Sequence, residues 1–299
     1  MINKCVRFII DSAYRFKILD CRGFFRNWSD ERYLKAAYRA KFHKRLDLDN
    51  PQTFNEKLNW LKLNDRNPRY SILVDKYLVK KYVAEQIGEE YIVPCYGAWN
   101  SFEEIDFQLL PEQFVLKANH DSSGAVICRD KSKFDIESNK LHFRNLLSKN
   151  YFYNSSREWP YKNVKPVVLA EKLLVDGTSD RLRDYKFWCF NGVPHYMYCT
   201  VKGGDVYENF FDMDFNPVDI SHGYRRMCPE PIKPTNFELM KELASKLSSG
   251  IPFVRIDFFE VEGRVYFGEY TFYDWGGMKQ FVSLEQDLKI GQLVNLPAK

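Results

Sequence analysis

From Phe253 to Phe272 apolar and polar side chains alternate on both sides of Gly263, a period of two that predicts a β-hairpin. Val254, Ile256 and Phe258, with Tyr266, Tyr270 and Phe272, form the apolar face; Arg255, Asp257, Glu269 and Thr271 form the other. Loop length decides whether Asp257 and Glu269 meet. A two-residue loop sends them to opposite faces, whereas a three-residue loop, Glu262-Gly263-Arg264, sets them across from each other, with Gly263 tolerating the φ > 0 it needs. Facing carboxylates repel without a cation between them. The pair is therefore either two solvent-facing strand residues or a floor for Mg²⁺ and a nucleotide.

Helical spacing dominates earlier. Residues 1–48 read as largely helical, with Tyr33, Ala36, Ala37 and Phe42 as a buried stripe, until Asn50-Pro51 breaks the run. Thr53 and Glu56 form a capping box ahead of Phe54, Leu58 and Leu61, and a further helix is expected from Ile72 to Ile87, stopped by Gly88. Strands follow at Phe114–Ala118, Val126–Cys128 and Val167–Glu171. Tyr185–Phe190 and His195–Cys199 flank a hairpin turn at Asn191-Gly192-Val193-Pro194. Thr235 and Glu238 form a second capping box, opening a helix through Leu247. Short strands mixed with helices predict an α+β fold.

Composition narrows the class. Hydrophobic residues at 45% and aromatics at 16% support a packed core. Seven scattered cysteines without a C-x-x-C pair argue against a disulfide framework or zinc site and for a reducing cytoplasm. No apolar run reaches a bilayer-spanning length, and Asp11 interrupts Phe8-Ile9-Ile10 before it becomes a signal-peptide core. Residues 1–45 carry twelve Lys/Arg and four Asp/Glu, +8 against +4 for the whole chain, which leaves −4 elsewhere. Such a basic end suits an anionic membrane or a phosphorylated substrate, or is a solvated helix face. Nucleic acid is the least favoured partner, because no recognition motif accompanies the charge.

Several segments carry candidate chemistry. Lys117 ends an apolar strand and precedes His120-Asp-Ser122-Ser123-Gly124, a loop that either turns N–H groups onto a phosphate or is a plain polar turn; no Walker A motif occurs. Glu171 and Lys172 close another strand, as nucleoside contacts or as a strand-edge salt bridge. Lys186, two residues after Asp184, either reaches a phosphate or forms an exposed ion pair. Asp212-Met-Asp214 matches the D-x-D pattern of many glycosyltransferases but reads as a turn.

The order of Pro51-Gln-Thr-Phe-Asn-Glu-Lys57, Asp75-Lys76, Phe114-Val-Leu-Lys117 with Asn119-His120, and Ala170-Glu-Lys172 resembles the TupA-like ATP-grasp family. Asp184-Tyr-Lys-Phe187, Val254-Arg-Ile-Asp257 and Phe267-Gly-Glu-Tyr-Thr271 extend the likeness, which covers about Asn50 to Gly291. That family is associated with teichuronopeptide and other bacterial surface polysaccharides, capsule and O-antigen among them. The resemblance implies an ATP-grasp fold: a helical basic region over 1–70, then two α+β lobes over 71–172 and 173–299 clamping ATP and Mg²⁺. It implies phosphate contacts from Lys76 and Lys117, with His120, Ser122, Ser123 and Gly124 over them, and Glu171 and Lys172 at the nucleoside. Asp257, Glu269 and Thr271 would bind the metal, while Lys186 and Arg255 would act at the transferring group. Two departures stand out, Thr271 where Asn is frequent and Ser123 where glycine is more usual.

The activity so implied is an ATP-dependent carboxylate–amine ligase working through an acyl phosphate. Its partners would be a carbohydrate carboxylate, such as a uronic acid, and an amino acid. The expected setting is the cytoplasm, with peripheral contact at the inner membrane face. The alternatives are a glycosyltransferase using Asp212 and Asp214, or a non-catalytic nucleotide- or glycan-binding protein.

Overall fold

The second and third helices and the segments that flank them build a small core of their own. The computed structural model describes residues 4–122, 124–175, 182–201 and 207–298, beginning with α1 (Lys4–Ile10), α2 (Ser12–Cys21) and α3 (Asp30–Phe42). Asp11 caps α2 by accepting from Tyr14 N–H, and Ser29 caps α3 by accepting from Arg32 N–H. Tyr33, Ala37 and Phe42 are buried with Phe25, Leu34, Tyr38 and Leu46, while Ala36 is only half-buried.

α4 (Phe54–Asn64) opens on the expected capping box, with Thr53 and Glu56 each accepting from the other's backbone N–H. The single helix expected over 72–87 is two, α5 (Arg69–Val74) and α6 (Leu78–Ile87). Asp75 divides them: one carboxylate oxygen accepts from Tyr77 and Leu78 N–H, and the other from Asn119 Nδ2. That local competition ends the first helix and swings Lys76 toward the strands, where its N–H donates to Asn119 O at 3.0 Å.

The first sheet contains β1 (Cys95–Trp99), β2 (Phe114–Ala118), β3 (Val126–Cys128) and, after α7 (Ile136–Leu147), β4 (Val168–Lys172). Its order is β1-β4-β2-β3, antiparallel throughout, and α7 buries Phe143 against Phe114, Leu116 and Val168. The second sheet follows from β5 (Arg183–Phe190), β6 (Val193–Val201), β7 (Asn209–Phe211), α8 (Phe237–Ser248), β8 (Phe253–Val261) and β9 (Arg264–Thr271). Its order is β7-β6-β5-β8-β9, and α9 (Leu284–Gln292) then packs on α4. Asn191 and Gly192 alone make the β5–β6 turn; Val193 and Pro194 already belong to β6.

One expectation is corrected here. The second capping box does not form, because Glu260 on β8 accepts the Thr235 and Asn236 N–H groups while Glu238 pairs with Lys233 and Lys241. Residues Tyr70, Leu73, Val74, Val79 and Val83 are buried in the core of the second sheet. α5 and α6 thus pack on the second sheet.

The β8–β9 hairpin departs most from simple alternation. Its loop is the two-residue Glu262-Gly263, at φ 51 and 74, and not the three-residue loop. Alternation from such a turn sends Asp257 and Glu269 to opposite faces, yet they are paired across the ladder. A β-bulge reconciles the two: Phe258 pairs with Phe267, Asp257 with Glu269, and Gly268 is the extra residue. A Cβ on Gly268 would lie 3.0 Å from Asp257 O and 3.2 Å from the Phe259 ring, so the close approach requires glycine. The bulge also corrects the apolar face. Phe267 joins the main core, and Tyr266, paired with Phe259, packs in a separate cluster with Val93, Leu174 and Val261.

Candidate active site

A cleft of ≈ 600 Å³ lies between the sheets, lined from β2 and β4 on one side and from β5, β6, β8 and β9 on the other. Lys117 and Glu171, near the ends of adjacent antiparallel strands, form an ion pair, and Lys80 of α6 reaches Glu171 at 2.6 Å. Burial alone would raise the Glu171 carboxyl, but Lys117 and Lys80 outweigh it and hold it at about 2. Burial likewise opposes charge on Lys117, and Glu171 more than offsets it. Lys76 Nζ donates to Asp121 O at 2.5 Å and stands 3.6 Å from Glu269. Three ammonium groups thus converge on this end of the cleft. Lys80 escaped the sequence reading, being one of two adjacent lysines on a helix with nothing to single it out.

Neighbouring candidates separate. Ser122 and Gly124 line the cleft, with Ser122 Oγ 2.6 Å from Tyr151 OH, while Ser123 lies outside the described residues. His120 does not line it: its ring nitrogens meet Asn119 Oδ1 at 3.1 Å and Lys149 O at 3.2 Å, anchoring the loop from behind. Lys172 is likewise off the cleft, with its side chain exposed and its N–H donating to Pro94 O. Glu171 itself lines the cleft, with its carboxylate paired to Lys117 and Lys80.

The facing sheet supplies the floor. Arg255 donates twice to Asp257, at 2.7 and 2.8 Å, and also to Glu269 at 3.1 Å, Asp274 at 2.5 Å and Tyr198 OH at 3.1 Å. Lys186, paired with Asp257 in the ladder, donates to it at 2.5 Å and lies 3.5 Å from Asp184. Burial, with Glu269 alongside, pushes the Asp257 carboxyl upward although Arg255 and Lys186 oppose it. Thr271 stands across from Arg255 and lines the same cleft. Asp257, Glu269 and Thr271 are hard oxygen donors of the kind that hold Mg²⁺, which usually takes one or two carboxylates and completes its shell with phosphate and water. The donor set fits that ion. Arg255 already bonds both carboxylates, so a divalent cation would compete with it for their oxygens.

At the far end lies a pair absent from the sequence reading. Lys62 is fully buried, and its Nζ donates to Ser156 O at 3.0 Å, Gly276 O at 2.5 Å and Asn59 Oδ1 at 3.2 Å. The signal was present: Phe54, Leu58 and Lys62 follow at i, i+4 on the buried stripe. Both stapled segments hold left-handed residues, Ser156 and Arg157 at φ 54 and 61, Trp275 and Gly276 at φ 50 and 64, and both line the cleft. Backbone strain of this kind concentrates at functional sites.

Glu158, on the first segment, lines the cleft and is pushed up to about 8 by burial, Lys62 opposing; burial brings Lys62 down to about 7. The stability Glu158 contributes is fully present below its ordinary value of 4.5 and is lost as the pH rises through about 8. Lys62 acts oppositely, its contribution growing only above about pH 7. Glu158→Gln is therefore expected to reduce the stability lost between about pH 5 and 8 by on the order of 3 kcal/mol. Urea unfolding at both pH values checks it; an equal loss in both proteins would contradict the assignment.

Asp212 is occupied elsewhere. Its carboxylate accepts from Asp214 N–H, Asn216 N–H and Asn216 Nδ2, closing a turn that does not line the cleft. The D-x-D segment is a turn, as its neighbours suggested.

The family described as TupA-like ATPgrasp matches residues 56–295, well over half of the chain. No curated protein matches. Among solved structures, the ATP-grasp ligase PsnB complexed with a minimal precursor is similar at 12% identity and a TM-score of 0.41, covering 79% of this chain and 66% of that one. D-alanine–D-alanine ligase from Bacillus anthracis complexed with ATP is 15% identical, with a TM-score of 0.36 over 75% of this chain and 68% of that one. Phosphoribosylamine–glycine ligase from Thermotoga maritima is 15% identical, with a TM-score of 0.40 over 68% and 48%. The chain thus spans just under two thirds of the first structure's length and about half of the last.

Proposed function

Because the chain belongs to the TupA-like ATP-grasp family, we propose that it is an ATP-dependent carboxylate–amine ligase and that its carboxylate substrate is a sugar acid. One observation carries this reading: a single cleft sets Lys76, Lys80 and Lys117 at one end and Asp257, Glu269, Arg255 and Lys186 on its floor. Phosphoryl transfer depends on positioning and charge neutralisation, and this arrangement provides both. Mg²⁺, held by Asp257 and Glu269, would neutralise phosphate charge.

The lysines hold the ATP phosphates, and Arg255 orients the acceptor carboxylate toward the γ-phosphorus. An oxygen of that carboxylate attacks phosphorus and the bond to ADP breaks. The amine nitrogen then attacks the acyl carbon, the bond to phosphate breaks, and the amine proton passes to the departing phosphate or to water. Lys62 keeps the two strained segments in place around the acceptor end. Trp275, 40% exposed at the rim and tilted 30° against Tyr224 at 5.3 Å, offers a flat apolar face on which a sugar ring can pack. The family's association with surface polysaccharides supports a uronic acid as acceptor, an amino acid as amine, and a capsule or O-antigen product made in the ATP-containing cytoplasm.

The test combines the protein with ATP, Mg²⁺ and a panel of uronic acids and amino acids, reading ADP release, with hydroxylamine present to trap acyl phosphate. ADP release that needs the uronic acid, with hydroxamate formed when the amine is omitted, supports the ligase. ADP without hydroxamate points instead to phosphorylation of a hydroxyl. Failure to bind ATP in calorimetry removes the reading altogether.

A further inference from the structure

α1 presents its apolar stripe to solvent. None of its residues is buried, and Val6, Ile9 and Ile10 are 46%, 71% and 66% exposed. At about 100° per residue these three fall on one side of the helix, opposite Phe8, which is half-buried and marks the side facing the protein. Phe24, 71% exposed just beyond α2, adds a fourth apolar side chain.

Although it buries nothing, α1 is held in a defined orientation. Arg15 Nη1 donates to the carbonyls of Phe8 and Ile9 at 3.1 and 2.6 Å, and Asp11 both caps α2 and takes Arg7 Nε at 3.3 Å. Lys4, Arg7, Lys17, Arg22 and Arg26 are all exposed around these segments.

We propose that α1 and the α2–α3 connection form a docking face that lies on an anionic membrane surface, with Val6, Ile9, Ile10 and Phe24 entering the headgroup layer. Charge selects this occupant. Residues 1–45 carry +8 against −4 for the remainder, so anionic lipid is attracted to this end while the rest of the molecule is held off. A second copy would set two such basic faces against each other. The contact is peripheral, since no helix among the described residues is long and apolar enough to cross a membrane. The inference does not depend on which reaction the cleft performs.

The full chain is sedimented with phosphatidylcholine vesicles, with and without phosphatidylglycerol, across a salt series. Ile9→Asp/Ile10→Asp and Lys17→Glu/Arg22→Glu are the test variants; these side chains are exposed, and unchanged unfolding midpoints confirm the folds. Binding only to the anionic vesicles is expected, falling at least about tenfold in either variant and on going to about 0.5 M salt. Wild type that stays in the supernatant at low salt overturns the proposal. So does binding indifferent to salt or to the variants, or a concentration-dependent dimer that Ile9→Asp/Ile10→Asp abolishes, because a second copy then covers the stripe.

Discussion

Asp257→Asn is expected to lower ATP turnover by about three orders of magnitude or more in a protein that still folds. Asp257 is the hub of the floor: Arg255 donates to both its oxygens, Lys186 to one, and Glu269 stands across the ladder. The amide keeps one acceptor oxygen but loses the charge that balances two buried cations and would hold the metal. Breaking a buried pair from one side also costs stability, on the order of 3 kcal/mol. Turnover must therefore be measured below the variant's unfolding midpoint, across a Mg²⁺ titration. Asp212→Asn is the control, since that carboxylate only closes a turn, and it should leave turnover within about twofold. A folded Asp257→Asn protein retaining turnover within about tenfold would remove the metal floor. Loss of activity in Asp212→Asn alone would restore the glycosyltransferase reading.

How legible this site was depends on how local each determinant is. The capping box at Thr53 and Glu56 involves residues three apart, and it forms as read. The same pattern at Thr235 and Glu238 fails because Glu260, distant in sequence, takes the N–H groups first. His120 was drawn to the phosphate by adjacency to Lys117, whereas its ring turns back to Asn119 and Lys149. Glu171 carried two readings because a strand end does not reveal what faces it; Lys80 comes from a helix 91 residues earlier. The wall built by Lys62 and the two left-handed segments was least visible. Ser156 and Trp275 give no sign in their residue type of a left-handed backbone, and Lys62 looks like any helix lysine until its place on the buried stripe is noticed. The pairing of Asp257 with Glu269 was anticipated, but through a loop length that does not occur.

That pairing leads to the second large effect: Gly268→Ala is expected to destabilise the protein by about 1–3 kcal/mol and to lower turnover beyond what the lost stability explains. Its new Cβ would press on Asp257 O at 3.0 Å and on the Phe259 ring at 3.2 Å. The chain can answer in two ways. Slipping β9 by one residue removes the bulge, but it carries Glu269 and Thr271 off the cleft face and exposes Tyr270, now 1% exposed. Widening the ladder locally keeps Tyr270 buried but moves β8 away from β9 where Arg255 bridges Asp257 and Glu269. Either answer misplaces the floor, and a displacement of about 1 Å there is enough to cost roughly a hundredfold in rate. Gly263→Ala separates geometry from stability. At φ 74 it strains the turn by about 1 kcal/mol, yet a Cβ there meets nothing within 4 Å, and the site lies at the other end of the hairpin. Urea midpoints and kcat at saturating ATP are compared for both variants. A reduced kcat and a higher Mg²⁺ concentration needed for half-maximal turnover, both confined to Gly268→Ala, assign the bulge to positioning the carboxylate pair. Equal kcat in the two folded proteins would reduce the bulge to a feature of the sheet with no part in the site.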